Sequence, residues 1–228
     1  MQNIKLPKPK AILFDLDGTL ADSAQDLIGA VNKMRLDRNL SKISYYELKK
    51  EASQGVKGIL HKALNIKPSH IDYLKYQEEF LNIYQSQICN NTILFEGVVE
   101  TINFIIQQDI IWGIVTNKAK KYTFPLIEEL HNKFNLPKPQ VIACGDTTAY
   151  PKPYPDSLLY ACAQIDVEPN MQDVWFIGDD IKDIQAARSA NIFSIAASYG
   201  YLGIEDNFLQ WNANLIINHI IEIKDLIS

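Results

Sequence analysis

From residue 95 onward, short apolar runs alternate with amphipathic stretches, and this alternation restricts the possible folds more than any other feature. Runs at 110–115, 141–144, 174–177 and 192–197 read as strands buried on both faces. Residues 98–106, 122–134, 156–165 and 181–190 carry apolar positions at helical spacing, and Pro155 stands where a helix would start. Residues 215–217 read as a last short strand before a C-terminal helix. Another run, Ala11-Ile12-Leu13-Phe14, opens the series near the N-terminus. Strands and helices in alternation predict an α/β fold, with a parallel sheet covered by helices on both faces.

One segment breaks the alternation. Between about residues 22 and 91 the pattern is helical throughout. Leu27, Val31 and Met34 recur at i, i+4, i+7, and Ile59, Leu60, Ala63 and Leu64 follow Gly55 and Gly58. Tyr73, Tyr76, Phe80 and Tyr84 form an aromatic stripe at helical spacing, best read as the core of a small bundle, and Pro68-Ser69 reads as the entry to that helix. A helical insert just after the first strand is expected to act as a cap over the carboxyl ends of the strands, with hinges near residues 20–22 and 91–96.

Ligands of open α/β sheets bind beyond the carboxyl ends of the strands, and polar residues collect at four of those ends. The first has Asp15 and Asp17, the second Thr116, Asn117 and Lys118. The third leads into a loop with Lys152 between Pro151 and Pro153, and the fourth has Asp179, Asp180 and, one helical turn on, Asp183. Taken alone, each set has an ordinary explanation. Asp15 to Gly18 suits a turn, Lys152 an exposed loop, and Gly178-Asp179-Asp180 a helix cap. Together and in order they predict five carboxylates converging on one site, which repel each other unless a cation is present. All the ligands are oxygens, which favours Mg²⁺. Thr116, Lys152 and backbone N–H groups would then bind a phosphoryl group. One Asp can attack phosphorus while a second handles the proton.

Composition narrows the classes. The chain has 228 residues and a net charge of −5, with no Lys/Arg block, which argues against a nucleic-acid partner. Apolar runs are too short to span a bilayer and the first ten residues lack the apolar segment of a secretory signal. Cys89, Cys144 and Cys162 are scattered and suggest neither a metal site nor a disulfide framework, so a cytoplasmic protein is expected. A monomer or a dimer is equally compatible with these features.

Phe14-Asp15-Leu16-Asp17-Gly18-Thr19-Leu20 resembles the first motif of the haloacid-dehalogenase-like hydrolases. Val115-Thr116-Asn117 resembles the second, Lys152-Pro153 the third, and Gly178-Asp179-Asp180 with Asp183 the fourth. The resemblance implies a Rossmann-like core over residues 1–20 and 92–228, and a helical cap of the C1 class over 21–91. It implies Asp15 as nucleophile and Asp17 as general acid/base. Mg²⁺ would be held by Asp15, the Asp17 carbonyl and Asp179, with Asp183 acting through metal-bound water. Asp180 stands where many relatives carry Ser. Thr116, Asn117 and Lys152 would meet the phosphoryl oxygens. Asp17 favours phosphotransfer over carbon–halogen cleavage, because the family's dehalogenases lack that residue.

Within the family, Thr19-Leu20-Ala21-Asp22-Ser23, the stretch Trp112 to Lys118, and Ser198-Tyr199-Gly200-Tyr201 resemble the phosphoglycolate-phosphatase-like branch. Gly178-Asp179-Asp180-Ile181-Lys182-Asp183-Ile184, and Asp206-Asn207 followed by Trp211-Asn212-Ala213-Asn214, lean toward its sister group, the N-acetylmuramic acid 6-phosphate phosphatases. The expected activity is hydrolysis of a small carboxylated phosphate ester, with a sugar-phosphate mutase as a further alternative. Gly55 and Lys57 are the candidate specificity residues of the cap. Backbone N–H groups and the ammonium there could meet a substrate carboxylate, or could simply cap a helix.

Overall fold

The computed structural model describes residues 5–201 and 207–227. Its strands are β1 Ala11–Phe14, β2 Ala21–Asp22, β3 Ile93–Leu94, β4 Ile111–Val115, β5 Val141–Ala143, β6 Val174–Gly178, β7 Phe193–Ala197 and β8 Leu215–Ile217. Its helices are α1 Ala24–Leu36, α2 Tyr45–Leu48, α3 Gly55–Leu64, α4 Tyr73–Ser86, α5 Val98–Gln107, α6 Lys120–Phe134, α7 Asp156–Gln164, α8 Ile181–Ser189 and α9 Ile223–Leu226. The chain divides into two compact units, Met1–Ala21 with Leu94–Ser228, and Asp22–Ile93. Among the described residues no helix is long and apolar enough to cross a membrane.

The first unit is the expected α/β core. Six strands form one sheet in the order β5-β4-β1-β6-β7-β8, and neighbouring strands run parallel. β1 lies inside the sheet with all four side chains fully buried, as its unbroken apolar run requires. From β1 the chain adds β4 and β5 on one side, then returns to add β6, β7 and β8 on the other. A reversal of this kind opens a crevice at the carboxyl ends of the strands around β1.

The Phe208–Trp211 turn packs on α8 and β7, with Phe208 and Trp211 against Ile184 and Ala196 and their rings 4.6 Å apart. Asn214 Oδ1 accepts from the Ser194 N–H and hydroxyl, both at 2.9 Å, which ties the edge strand β8 to β7. Most of the tail motif is therefore packing around the sheet edge; Asp206 lies outside the described residues.

The second unit is helical. α1 buries Leu27, Ile28, Val31 and Met34 on one stripe. The aromatic stripe of α4 divides: Phe80 and Tyr84 are buried, whereas Tyr73 and Tyr76 are half-buried. Tyr76 instead takes the Arg38 guanidinium over its ring at 5.0 Å. α4 starts later than Pro68-Ser69 suggests, because residues 67–73 make two successive turns, closed by His70 N to Lys67 O and Tyr73 N to His70 O. Buried Asp26, in the first turn of α1, accepts from Asn91 N, Asn91 Nδ2, Thr92 N and Thr92 Oγ1 at 2.7–3.0 Å. It therefore fixes the start of the helical segment to its end.

Candidate active site

Strand register brings the polar groups together. Phe14 at the end of β1 pairs with Ile114 of β4 on one side and Ile177 of β6 on the other. Asp15 follows directly, while Thr116 and Asp179 stand two residues past their partners. Three neighbouring strands thus end level, each presenting a polar side chain at the same edge of the sheet.

At the centre is the Lys152 ammonium, buried and with each of its three protons directed to a partner. Nζ lies 2.7 Å from Asp15 Oδ1, 2.7 Å from Asp183 Oδ1 and 2.8 Å from the Val115 carbonyl. Burial works against its charged form, but the two carboxylates outweigh that and hold it above the ordinary lysine range. Asp15, Asp179 and Asp183 are all buried, with carboxylate oxygens within 4.8 Å of one another. Burial pushes the Asp15 carboxyl up to about 7 against the pull of Lys152, and Asp183 adds to the rise. Burial, then Asp15 and Asp183, raise Asp179 well above the carboxylate range, and burial likewise raises Asp183.

Asp179 is gripped from two sides. Thr19 Oγ1 donates to Oδ1 at 3.1 Å and the Tyr201 N–H donates to Oδ2 at 2.9 Å. Gly18 (φ +90°) and Gly200 close around it, and a Cβ at either would lie 2.2–2.3 Å from an Asp179 side-chain atom. The Tyr199 hydroxyl donates to the Thr19 carbonyl at 3.1 Å, so the loop after β7 also steadies the loop after β1.

Thr116 is buried at the end of β4, and its Oγ1 accepts from the Lys118 N–H at 3.2 Å. The Asn117 side chain is directed at the Lys152 main chain, where it both donates and accepts. Asp17 projects its carboxylate to Lys118, whose Nζ is 3.0 Å from both oxygens. Asp180 caps α8: Oδ1 accepts from the Lys182 N–H at 2.9 Å and Oδ2 pairs with Lys182 Nζ at 3.1 Å. The reciprocal bond of this capping box, from Asp180 N to Asp183 Oδ2, leaves Asp183 Oδ1 for Lys152.

Three of the five expected carboxylates therefore cluster, while Asp17 and Asp180 are each drawn to a lysine. Gly55 (φ +65°) opens α3 in the helical unit, and Lys57 is exposed in its first turn.

Sequence reasoning gave no role to Lys118, Thr19, Gly200 or the Tyr201 N–H. The signal was available, because Lys118 and the 198–201 loop also follow strands of the same parallel sheet.

The geometry fits a hard divalent cation. Three buried carboxylates stand against one buried ammonium, and burial first, with repulsion from neighbouring carboxylates adding to it, raises their pKa values, a penalty that a bound cation would relieve. An all-oxygen donor set is what Mg²⁺ prefers.

The family model described as haloacid dehalogenase-like hydrolase matches residues 12–197. An N-acetylmuramic acid 6-phosphate phosphatase from Pseudomonas aeruginosa is 32% identical over 225 residues, 99% of this chain and 97% of that protein. A phosphoglycolate phosphatase from Xanthomonas campestris pv. campestris is 35% identical over 212 residues, 92% of each. The crystal structure of a predicted phosphoglycolate phosphatase from Haemophilus somnus superposes with a TM-score of 0.78 at 28% identity, covering 95% of this chain and 96% of that one.

Proposed function

The chain belongs to the haloacid dehalogenase-like hydrolase family and is a phosphatase, and from that premise we propose that it is a Mg²⁺-dependent phosphomonoesterase working through an aspartyl-phosphate on Asp15. The observation that carries this reading is the clustering of the Asp15, Asp179 and Asp183 carboxylates beyond the ends of β1 and β6, with Asp15 and Asp183 paired to the buried Lys152 ammonium.

An Asp15 oxygen attacks phosphorus, and the bond from phosphorus to the ester oxygen breaks. Asp17 gives the departing oxygen its proton. Asp17 then takes a proton from water, which attacks the same phosphorus, releases inorganic phosphate and restores the Asp15 carboxylate. Lys152 and Thr116 bind equatorial oxygens of the phosphoryl group. Asn117 acts by holding the Lys152 main chain in place. Asp15, Asp179 and the Asp17 carbonyl would hold Mg²⁺, with Asp183 beside them. The cation would supply the positive charge that keeps Asp15 ionised and neutralises the phosphoryl oxygens.

The substrate in this reading is a small phosphate ester that also carries a carboxylate. That chemistry is common to glycolate and muramate, the acids in the names of the two curated relatives. The helical unit is the candidate cap, with Gly55 and Lys57 as its candidate specificity residues. The test is phosphate release from p-nitrophenyl phosphate with Mg²⁺, expected for the wild type and lost in Asp15→Asn. Activity surviving that substitution refutes the assigned nucleophile. A screen containing 2-phosphoglycolate and N-acetylmuramic acid 6-phosphate then ranks the substrates.

A further inference from the structure

We propose that Tyr199 and Tyr201 are positioning residues whose hydroxyls join the cation ligand Asp179 to the backbone of residues 19–21, so that a cation on Asp179 orders the loop that carries Asp17 and the point where the chain leaves the α/β unit. The inference rests on the reading of Asp179 as a Mg²⁺ ligand and extends it to two side chains that the chemistry above does not use.

The loop after β7 is anchored at its base. The Ser198 N–H and hydroxyl both donate to the Ile217 carbonyl of β8, at 2.9 and 3.0 Å. Gly200 then packs against the Asp179 side chain, and the Tyr201 N–H reaches Asp179 Oδ2 at 2.9 Å. From the same loop two tyrosine side chains cross to the loop after β1. The Tyr199 hydroxyl donates to the Thr19 carbonyl at 3.1 Å, and the buried Tyr201 hydroxyl donates to the Ala21 carbonyl at 3.4 Å. Between them, the Leu20 carbonyl accepts from the Phe95 N–H at 3.1 Å. The Phe95 ring meets the Tyr199 ring edge-on, with centroids 5.3 Å apart. Three successive carbonyls are thus engaged just where the chain passes to the helical unit, which begins after Ala21 and ends before Leu94. Tyr199 touches both passages, at Thr19 and at Phe95.

Thr19 closes the circuit. Its hydroxyl donates to Asp179 Oδ1 at 3.1 Å while its carbonyl accepts from Tyr199. Each carboxylate oxygen has acceptor capacity beyond these bonds and can also take a cation. A cation there binds best when both donors hold the carboxylate in place, so it favours the closed loop over an opened one. Phenylalanine would fill the same space as either tyrosine. What each hydroxyl adds is its bond to a carbonyl of the loop after β1.

The test is amide hydrogen exchange without substrate, with and without millimolar Mg²⁺, on wild type, Tyr199→Phe, Tyr201→Phe and the double variant. The Gly18, Leu20, Ala21 and Phe95 amides are the reporters, because each donates to a backbone carbonyl of this loop. The Asp183 amide, bonded to the Asp180 carbonyl, reports the cation at its own site. In the wild type Mg²⁺ should slow exchange at 18–21 and 95 by about fivefold or more, the lower end of coupling between sites. In the double variant that slowing should vanish while the slowing at Asp183 remains. The single substitutions, which keep each ring, should fall between and carry the test if the double variant does not fold. A merely structural role would speed exchange equally with and without Mg²⁺ and leave the Mg²⁺ effect at its wild-type size, which overturns the proposal. Slowing at Asp183 of the wild type with none at 18–21 and 95 overturns the two tyrosines alone. No slowing at any of these amides, with no rise in Tm, overturns Asp179 as a cation ligand as well.

Discussion

The Asn117 side chain holds the main chain of Lys152 on both sides: Oδ1 accepts from the Lys152 N–H at 3.0 Å and Nδ2 donates to the Lys152 carbonyl at 2.9 Å. The loop that carries the ammonium is thereby fixed to the end of β4. Asn117→Ala removes both bonds, each worth about 1 kcal/mol net. It should lower kcat/KM for p-nitrophenyl phosphate by about ten- to a hundredfold through misplacement of Lys152. Asn117→Asp, which keeps the acceptor, should lose less. Steady-state kinetics on both variants check this. A loss confined to thermal stability would make Asn117 merely structural.

The cage around Asp179 gives a second test. Gly200 has no space for a Cβ, because one there would lie 2.3 Å from the Asp179 Cβ. Gly200→Ala should push the Asp179 carboxylate off its bonds to Thr19 and Tyr201. The expected result is a higher Mg²⁺ concentration for half-maximal activity, and a smaller rise in Tm on adding Mg²⁺. A Gly200→Ala protein with the Mg²⁺ response of the wild type contradicts a role for the 198–201 loop in placing Asp179.

The fold was legible because each strand of the core is a short apolar run flanked by a helical period, and both periodicities survive in the linear sequence. Asp15, Thr116, Lys152, Asp179 and Asp183 were legible because each follows a strand of a parallel sheet, where register makes the strand ends level. What the sequence could not supply was the direction of each side chain. Asp17 and Asp180 look like further members of the carboxylate cluster, yet each is drawn to a lysine one helical turn or less from its own or a neighbouring strand end. Asn117 looks like a ligand for phosphate, yet both ends of its amide are engaged with the main chain of Lys152. Asp17 meets its lysine across about a hundred residues and Asn117 its loop across thirty-five, whereas Asp180 turns to Lys182 only two residues on because it caps α8. Pro68-Ser69 opens a turn and not a helix, since both residues suit either, and α4 begins only at Tyr73.

pH should change how much Mg²⁺ stabilises the protein. Burial, opposed by Lys152, sets the Asp15 carboxyl at about 7, and burial also raises Asp179 and Asp183. Unfolded aspartates titrate near about 4. The folded, metal-free chain therefore binds more protons than the unfolded one between these values. Its stability contribution from these groups is complete below about pH 4 and is lost as the pH rises through about 7. Cation binding requires the ionised carboxylates, so its stabilisation grows over the same window. The rise in Tm produced by Mg²⁺ should increase from about pH 5 to about pH 8. A rise that stays constant or shrinks would contradict Asp15 and Asp179 as ligands of the cation.

Asp26 should matter for stability and not for chemistry. It is fully buried and accepts four hydrogen bonds from Asn91 and Thr92. Asp26→Ala leaves the Thr92 N–H and hydroxyl unpaired in a buried setting, while the exposed Asn91 can turn to water, at a cost of about 3 kcal/mol. Denaturant unfolding should show that loss, with the KM for p-nitrophenyl phosphate close to wild type. A loss under about 1 kcal/mol, the scale of a surface substitution, would mean that water replaces the carboxylate.

The central claim is that Asp15 carries the phosphoryl group during turnover. Protein quenched in acid while hydrolysing excess substrate with Mg²⁺, then digested and analysed by mass spectrometry, should contain one added phosphoryl group on the peptide that includes Asp15. The same peptide from Asp15→Asn should be unmodified and that protein inactive. A phosphoryl group on any other residue, or full activity in Asp15→Asn, would contradict the account.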